Sequence, residues 1–521
     1  MRNVLMVAAE NGAIKNAKVG GIGDVICDIP KYLVKQDISV DIVLPSYGFI
    51  VQDNQTAFSC EIEVPFCGLF EKVQLYKLVD ISNEGCNQWL LDHPAFETDS
   101  RSGIYCDVED NEGPFAFDAH KYALFGSAVC TLLRDVWRDR IGTIHLHDWH
   151  AAFVAVIREF DPAFSFLKRY QCTYTIHNLA IQGIRPFYGA ASSFNAWFPN
   201  LPYDKLPLTD PVYPECFNPV RSAINLVDRV HAVSPTYAHE ITQASDLERG
   251  FYGGENLHLD LQNAQAQGRL VGILNGCEYD SEEQLNDVAW ETFFQSALDT
   301  VQTWMSKNRH VASCHYLAQQ RLMQWRQSPM KQPVVTSVGR LTGQKFDLLL
   351  NKTNNGAAIT KILERLGMCN GRLIIIGSGD ILIEDELCQL MGQHENLLFL
   401  NGYSDKLPVM LYRLGNLFLM PSSFEPCGIS QMLAMRYGQP CLVHGIGGLA
   451  DTVKHLENGF VFNGNDVHEQ VDDLLNKFDL AMNLFSQEKN TWHAISSRAK
   501  QSRFSWEDSV KKYITELYQF S

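Results

Sequence analysis

The chain has 521 residues, of which 46% are hydrophobic and 20% charged, so it can bury two or more hydrophobic cores. Its net charge of −17 argues against nucleic acid or an anionic membrane surface as the main partner, because binding to phosphate groups requires a cationic face. The 14 cysteines form no Cys-x-x-Cys pair, and no apolar run reaches membrane-spanning length. We therefore expect a reduced, cytoplasmic protein.

Short apolar runs alternate with helical patterns along the chain, which is typical of an α/β protein with doubly wound sheets. Val4 to Ala8 and Ser39 to Leu44 are predicted strands, with a helix over Gly23 to Val34 between them. The segment Phe58 to Leu91 alternates in a way that predicts a hairpin. Further strands are predicted at Thr143 to His147, Cys172 to His177, Arg229 to Val233 and Val271 to Leu274.

A second series of strands and helices is predicted in the C-terminal half, after a helix-rich stretch over Ser281 to Met330. Two such series predict two doubly wound domains, at residues 1–269 and 270–498, followed by a C-terminal segment at 499–521. The strands of the second series are predicted at Val334 to Val338, Leu373 to Ile376, Leu397 to Leu400, Leu417 to Met420 and Cys441 to Val443.

The loop after the first predicted strand, Lys18 to Val25, combines a lysine with closely spaced glycines. Gly20 and Gly21 allow close approach of the backbone to a ligand, and the start of the following helix supplies N–H donors for an anion. Lys18 can neutralise a phosphate group beside this turn. A plain strand-to-helix turn is an equally good interpretation of the glycines alone.

Two cations follow the first strand of the second series. Arg340 and Lys345 lie across a turn from each other, and arginine can grip a diphosphate with two hydrogen bonds. The alternative interpretation is a pair of solvated surface cations, which is favoured until the other loops are considered.

Glu425 lies in the loop between the predicted strand Leu417 to Met420 and a helix predicted from Ile429 to Arg436, with Gly428 at the start of that helix. The N–H groups of a helix start attract anions, whereas a carboxylate repels them. We therefore interpret Glu425 as acting on a substrate group next to a bound phosphate. A solvated loop glutamate is the alternative.

Polar residues also follow two strands of the first series. Asn178 and Gln182 offer the paired donors and acceptors that sugar hydroxyl groups need. Four residues at the end of the preceding strand could bind a metal ion, namely His145, His147, Asp148 and His150. No distant Cys, His or Asp cluster completes a metal site, so hydrogen bonding to a polyhydroxylated ligand is the favoured interpretation of these residues.

These motifs occur in the order seen in bacterial glycogen synthases and plant starch synthases, and the chain resembles that family over nearly its whole length. The most specific combination is Phe424 to Gly428 followed by Gly447 to Val453. The other matching motifs are Lys18 to Val25, His147 to His150, His177 to Leu179, Ala232 to Tyr237, Leu274 to Gly276 and Arg340 to Lys345.

The resemblance implies the GT-B fold, in which two Rossmann-like domains face each other across a cleft that holds the active site. It implies a retaining transfer of glucose from a sugar nucleotide, with ADP-glucose expected, to the non-reducing end of an α-1,4-glucan. No metal or other cofactor is implied. The final segment, with Trp506 and Tyr513, is expected to cross back onto the first domain.

The same resemblance assigns roles to single residues. Lys18, Arg340 and Lys345 would hold the diphosphate, Glu425 matches the essential acidic residue near the transferred glucose, and His177 would bond to that glucose. The residues expected near the glucose or the acceptor are Asp24, Asp148, Asn178 and Gln182. The residues expected on the donor side are Gly20, Gly21, Asn275, Cys427, Gly428, Ile429 and Ser430. Tyr403 is also predicted on the donor side, because it follows the predicted strand Leu397 to Leu400, where its ring can stack on a nucleotide base.

The sequence leaves three alternatives to this function open. The donor could be UDP-glucose, the acceptor could be a small sugar or organic acid, or the protein could be a non-catalytic glucan-binding relative. A binding protein has no need of a complete set of leaving-group residues. The presence of Lys18, His177, Arg340, Lys345 and Glu425 therefore argues against the non-catalytic alternative.

Overall fold

The computed structural model describes residues 2–98, 103–106, 113, 115–279, 288–307, 310–353 and 356–520. The chain forms two compact units. The N-terminal unit comprises the described parts of Met1–Ser245, Gly253–Asn275 and Trp506–Ser521, and the C-terminal unit comprises those of Asp246–Tyr252 and Gly276–Ser505. Each unit has its own sheet and its own hydrophobic core.

The N-terminal unit is built on a nine-stranded sheet. Its strands, with one small separate pair (β8 and β9), are β1 (Asn3–Val7), β2 (Ser39–Pro45), β3 (Thr56–Phe66), β4 (Leu69–Asn83), β5 (Cys86–Asp92), β6 (Thr143–His147), β7 (Gln171–Ile176), β8 (Arg185–Pro186), β9 (Cys216–Phe217), β10 (Arg229–Ala232) and β11 (Leu270–Gly272). The order across the sheet is β11-β10-β7-β6-β1-β2-β5-β4-β3. Neighbouring strands are parallel, except that β4 pairs with β3 and with β5 in the antiparallel direction. These three strands cover the segment predicted to form a hairpin.

Helices cover this sheet and bury the apolar strands, as expected for parallel strands joined by crossovers. All five residues of β1 are buried. The helices are α1 (Gly21–Val34), α2 (Ile50–Asp53), α3 (Ala116–Asp135), α4 (Asp148–Ala151), α5 (Phe153–Phe160), α6 (Phe194–Trp197), α7 (Pro219–Leu226), α8 (Pro235–Glu240) and α9 (His258–Ala266), with 3₁₀ helices at Pro94–Phe96, Pro162–Arg169 and, in the C-terminal unit, Leu247–Arg249.

The C-terminal unit has a six-stranded, fully parallel sheet and a separate two-stranded pair (β13 and β14). Its strands are β12 (Val334–Val338), β13 (Lys352–Thr353), β14 (Gly356–Ala357), β15 (Arg372–Gly377), β16 (Leu397–Asn401), β17 (Leu417–Met420), β18 (Cys441–His444) and β19 (Gly459–Phe462). The order is β16-β15-β12-β17-β18-β19. The five predicted strands are confirmed, whereas β19 was not predicted.

Ten α-helices of this unit lie within the described residues. They are α10 (Trp290–Ser306), α11 (Ser313–Arg326), α12 (Gly343–Leu350), α13 (Ala358–Met368), α14 (Ile381–Gln393), α15 (Lys406–Leu414), α16 (Ser430–Arg436), α17 (Gly447–Thr452), α18 (Val467–Gln487) and α19 (Lys489–Gln501). The first two account for the stretch predicted to be rich in helix, of which residues 281–287 and 308–309 lie outside the described part. No helix of the described residues is long and apolar enough to cross a membrane.

The predicted domain boundary between residues 269 and 270 is wrong. Strand β11 pairs in parallel with β10, so the N-terminal unit continues to Asn275. Gly272 packs so closely on α8 that a Cβ atom there would lie 2.7 Å from the Cα atom of Pro235. The alternation of strands and helices reveals that a strand is present, but it does not reveal which sheet the strand joins.

The chain returns to the N-terminal unit at Trp506, after residues 499–505 have remained with the C-terminal unit. The returning segment forms α20 (Trp506–Lys512) and one π-helical turn at Tyr513–Leu517. The indole N–H of Trp506 donates to Asp28 at 3.2 Å, and Tyr513 is fully buried. Burial of these aromatic side chains fixes the segment on the N-terminal unit.

Candidate active site

The loop that follows β1 is held by a buried carboxylate. The backbone N–H groups of Val19 and Gly20 both donate to Oε2 of Glu10 at 2.7 Å, and the hydroxyl group of Tyr105 donates to its Oε1 at 2.7 Å. Glu10 is 2% exposed. Glu10 thus already accepts the hydrogen bond of the Gly20 N–H, so that N–H is not available to an anion. The close approach of the Gly20 and Gly21 backbone to a ligand stays a prediction. Helix α1 begins at Gly21, so its first-turn N–H groups start there.

Lys18 lies beside the first turn of α1 and pairs with Asp24. The two charged atoms are 2.6 Å apart, and each side chain is more than one third exposed. Burial raises the pKa of Asp24, while the neighbouring ammonium group opposes that rise. Gly23 makes room for the lysine, since a Cβ atom at Gly23 would lie 2.8 Å from Cγ of Lys18. The structure thus brings together two of the predicted site residues.

The carboxyl ends of β6 and β7 bring Asp148, His147 and His177 together. Oδ1 of Asp148 accepts the backbone N–H of His177 at 2.7 Å, and Nδ1 of His147 lies 3.0 Å from Nε2 of His177. Burial lowers the pKa of His177 to about 3 and raises that of Asp148 to about 7. Neutral His177 is thus suited to hydrogen bonding with a hydroxyl group rather than to binding an anion by charge.

The raised pKa of Asp148 predicts a pH-dependent difference between the protein and Asp148→Asn. Because the folded-state pKa lies above the unfolded value, protonated Asp148 stabilises the fold at low pH, and this contribution is lost as pH rises through about 7. Between about pH 5.5 and pH 8.5, the wild type should lose about 2 kcal/mol relative to the variant.

Thermal unfolding midpoints of both proteins across that range test the prediction. Asp139→Asn is the matched control, because the Asp139 side chain is 89% exposed. Its midpoints should run parallel to those of the wild type. Parallel curves for Asp148→Asn as well would contradict the assignment of an ionisable, buried Asp148.

Gln182 was predicted to bind sugar, but its side-chain amide is used within the protein. Its Nε2 donates to the carbonyl groups of Leu179 at 3.2 Å and Glu255 at 3.0 Å, and its Oε1 accepts from Asn218 at 2.6 Å. These bonds hold the loop that follows β7. Gln182 is therefore a support for the loop that carries Asn178.

Two predicted amide residues differ in their surroundings. Oδ1 of Asn178 accepts the backbone N–H of Ala180 at 2.9 Å, which closes a turn. Asn275 is 4% exposed, and its Oδ1 has no hydrogen-bond partner among the described residues. Asn178 and Asn275 stay predicted ligand-binding residues.

The histidines of this region form a hydrogen-bonded network. Nδ1 of His145 lies 2.8 Å from the hydroxyl group of Tyr518, and its Nε2 lies 2.6 Å from that of Thr175. Both ring nitrogens of His145 are therefore engaged, and His147 bonds to His177. The described ranges contain no group of three or more His, Cys, Asp or Glu side chains that could hold a metal ion.

In the C-terminal unit, Lys345 and Glu425 form an ion pair. Nζ of Lys345 lies 3.0 Å from Oε2 of Glu425, and their side chains are 27% and 10% exposed. The backbone N–H and the hydroxyl group of Ser423 both donate to the carbonyl group of Gln344, at 2.7 and 3.0 Å. These two bonds tie the loop after β17 to the start of α12, so they position the carboxylate beside the lysine.

Arg340 is exposed, and its guanidinium group has no hydrogen bond or ion pair within the part of the chain that the structure describes. Its loop is nevertheless held firmly. The N–H of Leu341 donates to Ser378 at 3.0 Å, and that of Asp380 donates back to Leu341 at 2.7 Å. A fixed backbone with an uncommitted guanidinium group suits binding of an anionic ligand.

Tyr403 is 69% exposed, and its hydroxyl group bonds to Asp405. The preceding Gly402 packs on Trp304, where a Cβ atom would lie 2.6 Å from the indole ring. The tyrosine therefore stands on a supported loop after β16. Its exposed ring stays a predicted surface for a nucleotide base.

The loop from Glu425 to Gly428 packs on the start of α17. The N–H of Gly448 donates to the carbonyl group of Glu425 at 3.2 Å, and Cβ atoms at Gly447 or Gly448 would overlap the backbone of Glu425 or Cys427. Gly428 has a φ of +73°, in the left-handed region that favours glycine. These contacts explain why the two glycine-containing motifs occur together.

The remaining donor-side residues lie on the same loop. Cys427 is buried, Ile429 precedes α16, and Ser430 is the first residue of that helix. Their roles stay predictions.

Glu10, Gln344 and Ser423 were missed as supporting residues in the sequence. The position of Glu10 could have indicated its role. It is an acidic residue between a buried strand and a glycine turn, so its carboxylate can accept hydrogen bonds from the backbone N–H groups of that turn. The contribution of Gln344 is a main-chain carbonyl group, for which its residue type gives no signal. Ser423 belongs to the motif, but its partner is distant in sequence.

The chain is similar to known proteins over nearly its whole length. It matches the model of the starch synthase catalytic domain over residues 3–263 and that of group 1 glycosyl transferases over residues 319–490. The glycogen synthase of Streptococcus sanguinis (strain SK36) is 30% identical over 538 residues and covers 99% of both chains. That of Desulfitobacterium hafniense (strain DSM 10664 / DCB-2) is 29% identical over 514 residues, or 95% of each chain.

Two solved structures are similar. The catalytic domain of starch synthase IV from Arabidopsis thaliana has a TM-score of 0.74 and 25% identity, and the match covers 99% of this chain and 98% of that one. Sucrose-phosphate synthase from Thermosynechococcus elongatus has a TM-score of 0.54 and 15% identity, with coverage of 100% and 98%, which supports the fold alone.

Two Rossmann-like units with a cation and carboxylate pair at the strand ends define a glycosyltransferase of the GT-B class. More specifically, the chain belongs to the family of glycogen and starch synthases. The expectations of fold and of enzyme class drawn from the sequence are both confirmed.

Proposed function

We propose that this enzyme transfers glucose from ADP-glucose to the non-reducing end of an α-1,4-glucan, with retention of configuration. The observation that carries the proposal is the contact of 3.0 Å between Lys345 and Glu425. Arg340 follows strand β12, which pairs with β17, and its guanidinium group has no partner among the residues that the structure describes. Cations stabilise the diphosphate as its bond to glucose breaks, and the carboxylate of Glu425 acts on that glucose. The relatives named glycogen synthase support the same reaction.

The N-terminal unit supplies groups for the sugar and the phosphate. Lys18 and the first turn of α1 are suited to phosphate, because both present positive electrostatic potential. Neutral His177 is suited to a glucose hydroxyl group, and Asp148 fixes its backbone. A sugar nucleotide and an α-glucan are thus the proposed partners. We place the protein in the cytoplasm, which the free state of all its cysteines supports.

ADP-glucose is the proposed donor. The starch synthase IV structure is bound to ADP and acarbose, which supports an adenine nucleotide. A purine fills a longer slot than a pyrimidine, and leaving a polar edge of the base unpaired is costly. We expect kcat/KM at saturating glycogen to be at least about tenfold higher with ADP-glucose than with UDP-glucose.

The test compares both donors with the purified wild type and with Tyr403→Ala. Tyr403→Phe is the matched control, because it keeps the exposed ring and removes only the hydroxyl group that bonds to Asp405. The alanine variant should lose efficiency with ADP-glucose, and the phenylalanine variant should keep it. A preference for UDP-glucose would contradict the nucleotide assignment and leave the reaction class standing.

We propose that the reaction needs no metal ion. Arg340 and Lys345 supply positive charge of the kind that a divalent cation would place on a diphosphate. Exhaustive treatment with EDTA is therefore expected to leave the transfer rate unchanged, as measured by nucleotide release. Activity that is lost with EDTA and restored by zinc or magnesium would return attention to His147 and Asp148 as ligands.

A further inference from the structure

A cavity of about 380 Å³ opens in the C-terminal unit between α17, β19 and α18. None of the residues predicted for donor or acceptor binding lines it. Its volume is at the lower end of the range for small-molecule sites. Its apolar part is formed by Ala450, Val453 and Val461, and its basic part by Lys454, His455 and Lys477.

The basic residues outnumber the acidic group that faces them. Nζ of Lys477 lies 3.3 Å from Asp473. Nζ of Lys454 donates to the carbonyl group of Ala450 at 2.8 Å and has no ion-pair partner among the described residues. Nδ1 of His455 accepts the backbone N–H of Val461 at 3.2 Å, so its proton is carried on Nε2. This cavity is therefore locally cationic in a chain with a net charge of −17.

The pKa of His455 responds to burial and to the charged groups around the ring. Burial lowers the pKa of His455, the nearby Lys477 lowers it further, and Asp473 opposes both. An anion placed among these groups would offset the charges of Lys454 and Lys477 and would favour the protonated form of His455, which Lys477 disfavours. Phosphate offers several acceptor oxygens to the three side chains.

We propose that this cavity binds a small phosphate ester, with its phosphate group on Lys454, His455 and Lys477 and its carbon skeleton on Val453 and Val461. The ligand acts as an effector of the transferase. The binding claim is independent of the proposed function, whereas the effector role rests on it.

Helix α17 provides the link to the candidate active site. Ala450 and the following Lys454 line the cavity, while the start of the same helix, at Gly447 and Gly448, packs on the backbone of Glu425. A ligand that pulls on Lys454 therefore acts on the short helix that supports Glu425. Because Gly447 and Gly448 have no space for a Cβ atom, a shift of α17 displaces the Glu425 loop with it.

Titration calorimetry with inorganic phosphate, at ionic strength held constant with chloride, tests the site. Arg340→Ala/Lys345→Ala serves as the background, because it lacks two cations of the candidate donor site. On this background, Lys454→Ala should weaken phosphate binding about tenfold, and Asp473→Asn should tighten it severalfold. Lys454 is exposed, so its removal should leave the thermal unfolding midpoint unchanged.

Absence of phosphate binding in the background variant, or equal affinity after Lys454→Ala, would overturn the site. For the effector role, kcat is measured at saturating donor with Arg340 and Lys345 intact. Phosphate should change kcat of the wild type about fivefold and leave that of Lys454→Ala unchanged. A kcat of the wild type that does not respond would overturn that role. Absence of any transferase activity would count against the proposed function. The calorimetry would still show whether phosphate binds in the cavity.

Discussion

Glu425→Gln is expected to lower kcat by about 10²- to 10³-fold or more, because the carboxylate acts on charge that develops during transfer. Glutamine has the same shape and keeps an oxygen that can accept a hydrogen bond from Lys345. The side chain lies in a loop rather than in a hydrophobic core, so the fold should persist. Initial rates of nucleotide release and thermal unfolding of the variant measure the two effects separately.

Glu457→Gln is the matched control for this experiment. Glu457 is an exposed glutamate of the same unit, in the turn before β19. Its replacement removes one carboxylate without touching the predicted site, so activity should be that of the wild type. Near wild-type turnover by Glu425→Gln would remove Glu425 from the mechanism, whereas an unfolded variant would contradict its placement in a tolerant loop.

Arg340→Ala and Lys345→Ala are each expected to lower the transfer rate about 10²-fold, with little change in glucan binding. Negative charge on the diphosphate grows as the bond to glucose breaks, so cations that contact it are worth most in the transition state. The two variants should differ in one respect. Lys345→Ala also leaves Glu425 without its ion-pair partner, whereas Arg340→Ala leaves that contact of 3.0 Å intact.

Rates at saturating donor and glucan affinities, measured on the same preparations, test this expectation. Lys331→Ala is the control, since Lys331 is an exposed cation ahead of β12 and is not among the predicted site residues. Equal losses in rate and in glucan affinity would mean that Arg340 and Lys345 hold the ligand without assisting its departure.

Much of the fold was predictable because parallel strands buried on both faces are nearly continuous apolar runs. Strands β6, β12 and β17 have the predicted bounds. The boundary after residue 269 failed, because the partner of β11 is a property of the sheet rather than of local sequence. Strand β19 was missed, since it begins at the glycine of the pair Asn458-Gly459, and an Asn-Gly pair indicates a turn.

The candidate site was predictable where a charged side chain follows a strand. Lys345 and Glu425 are distant in sequence, yet both follow strands of one parallel sheet, so their carboxyl-end loops meet. The sequence does not reveal which polar groups the protein itself uses. The N–H of Gly20 is taken by Glu10, and the amide of Gln182 is taken by its own loop, because folding satisfies buried polar groups first.

The most direct test of the proposed reaction is transfer from ADP-glucose labelled in its glucose to glycogen, followed by digestion of the product with β-amylase. This digestion releases maltose from non-reducing ends joined by α-1,4 bonds. The proposed function predicts labelled polymer whose label is released as maltose. Label that appears as free glucose, or in polymer that β-amylase does not release, would contradict it.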